Sequence, residues 1–217
     1  MKSATLLTTA GLSVRFPQSG GSFWAWAAGK LKNLGNRDGF VSKGGGVLCE
    51  YRGFQLREGE CYALCGREGF VSAALFDLVE GKYRKHAGTI SMSGGFISSR
   101  QQFDQLRSNT TLQALFRSRA DLEKLLSFAD LFAQASLRLE DLAWSEKVRF
   151  SVALALLSSE RLVVIDERLF ACDTTFIAKV LEQIRFAKAQ GRAFLLAAPH
   201  WDAVKPVADK AIGFKIS

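Results

Sequence analysis

The sequence predicts an α/β fold: a mainly parallel sheet with helices on both faces, led by antiparallel front strands and carrying a helical insertion. Three observations predict it. Short apolar runs that read as buried strands, LVVID and AFLLAAP among them, alternate with segments of helical periodicity. A strand, a glycine-bounded loop and a helix follow one another in CYALCGREGFVSAALF, the front of a βαβ unit. The 217 residues are 48% hydrophobic with 3 Pro, enough for one such core and cramped for two domains.

Residues 1–60 are short apolar and polar runs broken by glycine. They read as a strand, an insertion carrying Phe23-Trp24-Ala25-Trp26, and a hairpin ending at GFQLREGE. The segment 35–59, with Gly44-Gly45-Gly46, is expected to be loop and hairpin, and Gly59 a turn. From Cys61 a short buried strand leads into a loop, and FVSAALFDLVEG is a helix with Val71, Ala74, Leu75 and Leu78 on one face. AGTISMSGGF reads as another hairpin or strand pair. Across 109–140, Leu122, Leu125, Leu126, Ala129 and Phe132 recur at helical spacing, with Ser118 or Asp121 as the cap.

The helix EKVRFSVALALLSS then precedes LVVIDE, a parallel-strand signature ending in two carboxylates. The helix over 174–190 turns Phe176, Ile177, Val180, Leu181 and Ile184 inward and stops at Gly191. AFLLAAPH is a second core strand, WDAVKPVAD a short helix and AIGFKI a final strand. The expected organisation is one domain over 1–217 with a helical subregion at 109–157.

Composition excludes several functions. A formal charge of +8 suits nucleic acid, anionic headgroups or acidic cargo. No zinc finger, RNP-type aromatic strand or glycine-bracketed phosphate clamp accompanies it, so no nucleic-acid partner is expected. Cys49, Cys61, Cys65 and Cys172 have no close His or second CxxC to complete a metal site, and are expected to be thiols of a reducing compartment. No apolar run has the length of a signal peptide or a spanning helix. There is no GxSxG elbow and no HExxH. His86, in KYRKH, reads as part of a solvated turn. Trp24, Trp26, Trp144 and Trp201 offer aromatic faces to a core, a partner or a sugar.

In a parallel sheet functional groups gather beyond the carboxyl ends of the strands, and three candidates fall there: GREGFVSAA, Asp166-Glu167 and His200. Singly, the carboxylates read equally as a loop cap and His200 as an edge histidine. Together, in their order and spacing, they resemble the ATP-binding subunit of ABC transporters, most closely the capsular and other polysaccharide exporters. The resemblance runs over nearly the whole chain and implies a P-loop NTPase-like ABC ATPase fold. It makes Gly66, Arg67, Glu68, Gly69, Phe70, Val71, Ser72 and Ala73 the nucleotide loop, Asp166 a magnesium residue, Glu167 and His200 catalytic residues in an active form, and Ser145, Glu146 and Asp173 subunit-interface residues.

The same resemblance exposes departures. A phosphate loop of the form GxxxxGK[ST] relies on a lysine for the β- and γ-phosphates and a hydroxyl for magnesium. Here Val71 stands at the final glycine, Ser72 at the lysine and Ala73 at the hydroxyl position. The signature falls on Ala143-Trp144-Ser145-Glu146, with Glu146 carrying negative charge toward a triphosphate. The Q-loop position falls on Ile97, and near Val47, where an aromatic would face adenine, only Tyr51 is close.

The expected function is a noncatalytic or weakly nucleotide-binding subunit of a polysaccharide exporter. The alternatives are an active ATP-hydrolysing exporter subunit or a regulatory scaffold using the fold. ATP and Mg are at most weakly bound cofactors. The implied partners are an integral membrane permease and a second ATPase-like subunit, identical or intact, with polysaccharide contact indirect. The implied place is cytoplasmic, peripheral at the inner face of the membrane. An exposed apolar face on 109–140 favours permease docking, and a polar one favours the scaffold.

Overall fold

The first strand, β1 (Thr5–Phe16), is long enough to organise a sheet by itself. A computed structural model describes residues 3–16, 47–66, 69–82, 86–106, 110–116 and 118–217. The tryptophan-containing insertion and Arg67 and Glu68 of the expected nucleotide loop lie outside these residues. β2 (Val47–Tyr51) and β3 (Phe54–Arg57) pair in succession along β1, β5 (His86–Met92) also pairs with it, and β10 (Phe214–Ile216) pairs with β2, all antiparallel.

The second sheet is entirely parallel. Its order is β6 (Phe96–Ser98), β7 (Leu162–Ile165), β8 (Ala193–Ala198), β4 (Cys61–Cys65) and β9 (Lys210–Ala211). The mixed architecture is that of the P-loop NTPases, with the antiparallel strands in front and helical insertions, as the sequence predicts.

α1 (Gly69–Val79) lies between the sheets. Val71, Ala74, Leu75, Phe76, Leu78 and Val79 are buried in one apolar cluster with Leu6, Leu7 and Leu12 of β1 and Leu195 of β8. Burial on nearly every side exceeds the single face that periodicity suggests, because the helix has a sheet above and below it. On the far face of the parallel sheet, Val163, Ile165, Phe194 and Leu196 pack on α4 (Trp144–Leu157) and α5 (Thr174–Ala189), the latter through Phe176, Val180 and Ile184. Alternate strand residues thus serve opposite layers, as a two-residue side-chain period requires.

α2 (Ser99–Gln105) follows β6 directly, its first turn capped by Ser98 Oγ, which accepts from the Gln101 N–H at 3.4 Å. α3 (Arg119–Ala129) is capped by Ser118, whose Oγ accepts from the Asp121 N–H at 3.3 Å. Ser118 rather than Asp121 is therefore the cap. Leu125, Leu126, Ala129, Leu131, Leu139 and Leu142 form a third cluster with Phe150 and Ala153 of α4.

Six expectations are corrected. β2 and β3 are both antiparallel to β1, so they run in one direction as a strand kinked at Arg52-Gly53 rather than as a hairpin. A Cβ at Gly53 would meet Thr9 O at 2.9 Å, so the kink presses the chain onto β1. β5 and β6 are no pair either: the turn at Ser93-Gly95 carries the chain from one sheet into the other. AIGFKI divides in the same way between β9 and β10. WDAVKPVAD forms one 3-10 turn, Trp201–Ala203. The helical spacing at 109–140 ends at Asp130, whose φ of 58° is left-handed, so Phe132 stands outside α3 and is 57% exposed. His86 begins β5 instead of closing a turn.

Candidate functional site

The strands β7, β8 and β4 are parallel neighbours, so the segments leaving their carboxyl ends emerge along one edge of the sheet. That edge brings together Gly66 after β4, Asp166 and Glu167 after β7, and Pro199 and His200 after β8. The Gly66 N–H donates to Ala198 O at 3.1 Å, tying the loop to the end of β8. A cleft of about 530 Å³ lies at the amino end of β4, lined by Arg52, Arg57, Glu60, Tyr62 and Lys210, away from this edge.

Glu167 lies against the first turn of α1. Ser72 Oγ donates to Glu167 Oε2 at 3.1 Å and is also 3.0 Å from Gly69 O. Glu167 Oε1 would be 3.4 Å from a Cβ on Gly69. An anion at the start of a helix is favoured by the partial positive charge of its free N–H groups. The protein places its own carboxylate where a phosphate would gain that benefit. Ser72 is buried, at 7% exposure, so the position where the family resemblance puts a lysine holds a short hydroxyl facing inward.

Asp166 is 3% exposed. Its Oδ2 accepts from Arg168 Nε at 2.6 Å, and its backbone N–H donates to Ser99 Oγ at 3.3 Å. Arg168 lies over the Phe103 ring, 4.2 Å from the centroid, with Nη1 4.0 Å from Asp104 Oδ1. Arg168, Phe103, Ser99 and Asp104 are the site neighbours that sequence reasoning misses. Arg168, next after the carboxylate pair, is the one a reading of charge spacing could have found.

Arg100 fixes the helix behind the loop. It pairs with Asp77 and donates from Nη1 to Ala73 O at 3.1 Å. Burial raises the Asp77 carboxyl above its ordinary range, and Arg100 partly opposes the rise. Tyr51, near the expected adenine position, is buried at 4% and donates its hydroxyl to Val71 O at 2.7 Å. It serves as a strut from β2 to α1. Its own ionisation is pushed well up, chiefly by burial.

The remaining expected residues separate by location. His200 is exposed and heads the Trp201–Ala203 turn without a side-chain cap bond. Ile97 lies within β6 opposite Val163 and packs on the far-face core, so it is not beyond a strand end. Ser145 is exposed in the first turn of α4, next to the half-exposed Trp144. Glu146 accepts from the Ala143 N–H at 2.7 Å and from Gln134 Nε2 at 2.8 Å, so its carboxylate closes the start of α4. Asp173 caps α5, accepting from the Phe176 N–H at 2.9 Å, and pairs with Arg149. The cap first, and Arg149 with it, hold its carboxyl below the ordinary range against an opposing desolvation.

Cys49 and Cys61 are fully buried thiols, pushed up to about 11 and about 12 by desolvation. Cys65 and Cys172 are half-buried. Among the described residues no group of three His, Cys, Asp or Glu side chains could hold a metal ion, and no helix is long and apolar enough to cross a membrane.

Comparison with known proteins agrees with the geometry. The family model for the ABC transporter matches residues 51–169. The Nod factor export ATP-binding protein I of Neorhizobium galegae is 27% identical over 180 residues, covering 72% of this chain and 52% of that protein. The O-antigen export system ATP-binding protein RfbB of Klebsiella pneumoniae is 27% identical over 173 residues, covering 73% of this chain and 70% of that protein. The chain spans between 52% and 59% of the length of the Nod factor export relatives from Neorhizobium, Mesorhizobium and Burkholderia orbicola. A nucleotide-free ATP-binding cassette from an ABC transporter superposes with a TM-score of 0.61 at 15% identity, covering 95% of this chain and 86% of that one.

Proposed function

The chain belongs to the ABC transporter family, in its ATP-binding part, and from that premise we propose that it is a noncatalytic or weakly nucleotide-binding subunit of a polysaccharide export transporter. It docks on an integral membrane permease at the inner face of the cytoplasmic membrane and pairs with a second ATPase-like subunit. The sugar is handled by the permease, so its contact with this chain is indirect. The relatedness to O-antigen and Nod factor export proteins, at low identity, supports the transport class.

One observation carries the noncatalytic reading: Ser72, at the lysine position, donates to Glu167, the carboxylate expected to activate water. A general base needs to face its water, and a triphosphate needs a cation at the loop. Here the would-be base is held against α1, and the loop side chain that holds it carries no charge. The loss of a single preorganised donor to a transition state costs roughly 3–4 kcal/mol. Ser72, Ala73 and the altered signature remove several such groups together. The residues present do not fit a magnesium triphosphate: Asp166 is paired with Arg168, and the loop hydroxyl that would complete a metal site is replaced by Ala73.

Docking is supported separately. Four of the six exposed large apolar side chains among the described residues, Leu115, Phe132, Leu137 and Trp144, fall within 109–157. That distribution favours a protein-contacting subunit over a scaffold with a polar insertion.

Calorimetry with ATP to millimolar concentration, with and without magnesium, together with a phosphate-release assay, tests the nucleotide half. The expected result is at most weak binding and no turnover. Micromolar magnesium-dependent binding, or turnover lost in Glu167→Gln, overturns it. Purification from native membranes tests the docking half, where recovery without permease or second ATPase overturns the partnership.

A further inference from the structure

Arg168 follows the two candidate carboxylates directly, and its guanidinium is held from three sides. Nε donates to Asp166 Oδ2 at 2.6 Å, the ring of Phe103 lies 4.2 Å beneath, and Nη1 is 4.0 Å from Asp104 Oδ1. The two partners are little exposed, 14% for the Arg168 side chain and 4% for that of Asp166. A pair removed from water in this way is strongly coupled, and a lone buried carboxylate would be costly. Arg168 Nη2 is itself buried without a hydrogen-bond partner among the described residues. The guanidinium is therefore seated by its pairing with Asp166 and its stacking on Phe103, rather than by complete hydrogen bonding.

From this geometry we infer that Arg168 is a built-in counterion that takes the place of the divalent cation at Asp166, so that the site has no magnesium requirement and excludes the metal. The inference deepens the noncatalytic reading and rests on the same site. Magnesium holds oxygen ligands at roughly 2.0–2.1 Å in near-octahedral geometry and is usually carried by one or two carboxylates plus phosphate oxygens. At this edge one carboxylate already accepts from a guanidinium and the other from Ser72. A metal approaching Asp166 meets the positive charge of Arg168 at contact distance, which opposes its binding. Any phosphate-bearing ligand then binds in metal-free form.

The test uses Mn²⁺ as a paramagnetic stand-in for magnesium and the full chain, read by electron paramagnetic resonance of bound against free ion. The wild-type chain is expected to bind no Mn²⁺ through Asp166, and its ATP affinity is expected to be the same in EDTA as in magnesium. Arg168→Gln is expected to gain a Mn²⁺ site that binds at least about tenfold tighter than any residual, Asp166-independent binding by the wild-type chain, since it releases a carboxylate from a unit positive charge within contact distance. That gain is expected to vanish in the double variant with Asp166→Asn, and to be absent in Arg168→Lys, which keeps the charge. A wild-type Mn²⁺ signal lost on Asp166→Asn overturns the inference, as does a folded Arg168→Gln chain that gains nothing. If Arg168→Gln does not fold, the wild-type and Asp166→Asn spectra alone decide. Turnover is a separate readout: metal binding without hydrolysis would remove the counterion and leave the noncatalytic reading standing.

Discussion

Asp173 illustrates how one side chain can satisfy two readings. The family resemblance makes it a subunit-interface residue, and the fold makes it the cap of α5 with Arg149 as its ion-pair partner. Its depressed carboxyl gives stability that is present above the unfolded value near 3.9 and lost as pH falls through the lower folded value. Asparagine caps a helix about as well as aspartate but does not titrate. Asp173→Asn is therefore expected to unfold near the wild-type temperature at neutral pH with a shallower loss between pH 4 and 2, while Asp173→Ala unfolds earlier throughout. Thermal melts followed by circular dichroism across that range check both. Ser72 offers a second residue-scale test. Removing its hydroxyl deletes a hydrogen bond to a carboxylate, worth about 1.5–3 kcal/mol, so Ser72→Ala is expected to lower the urea midpoint with no change in slope. Asp166 and Glu167 are legible because they follow a strand end, where topology fixes their neighbourhood, and Ser72 because it stands at a fixed place in the loop-to-helix pattern after β4. Arg168 is legible as a charge beside the carboxylate pair but not as the partner of Asp166, because the sequence does not show that it turns back onto that residue across a phenylalanine supplied by another element.

At the scale of elements, legibility depended on whether an element's partners are local. The helices α4 and α5 could be read from spacing because their apolar faces meet one sheet, and α4 also lends Phe150 and Ala153 to the insertion. The front strands could not. β5 and β6 are three residues apart in the chain and belong to different sheets, and only long-range pairing separates that arrangement from a hairpin. The pairing leaves a sharp requirement at Gly88. Its φ is +83°, and a Cβ there would lie 2.4 Å from Gly11 O and 2.5 Å from Ala10 O, backbone that cannot swing aside. This is the point where the β1 and β5 register slips between Ala10 and Ser13. Gly88→Ala combines a left-handed backbone with a main-chain clash, so a destabilisation of about 2 kcal/mol or more is expected. Gly81→Ala, also left-handed at +68° but with nothing within 4 Å of its Cβ, is expected to cost only about 1 kcal/mol. Equilibrium unfolding of the two variants side by side separates the clash from the backbone strain, and equal losses would argue against the close approach.

At the scale of the whole molecule, the buried apolar side chains of the described residues fall into three clusters, and four of their six exposed large apolar side chains lie within 109–157. The third cluster is built from 106–157 and is completed by α4, which gives the insertion its own support. Its small core leaves Leu115, Phe132 and Leu137 outward, at 44%, 57% and 40% exposure. Side chains that contribute little to folding can be changed without loss of the fold, because a surface substitution outside a special backbone position stays within about 0.5 kcal/mol. The triple change Leu115→Ser, Phe132→Ser and Leu137→Ser is accordingly expected to leave the melting temperature within a few degrees of wild type. If these residues meet a permease, the same change removes apolar area that the complex would bury, at roughly 25 cal/mol per Å², and weakens association by at least tenfold. The check is recovery of the chain with membranes and with detergent-solubilised partner, run beside a control bearing Phe186→Ser, an equally exposed phenylalanine on α5 outside the insertion. Loss of recovery in the triple variant with retention in the control locates docking on the insertion. Equal retention in both moves the permease contact elsewhere and returns the insertion to a purely structural role.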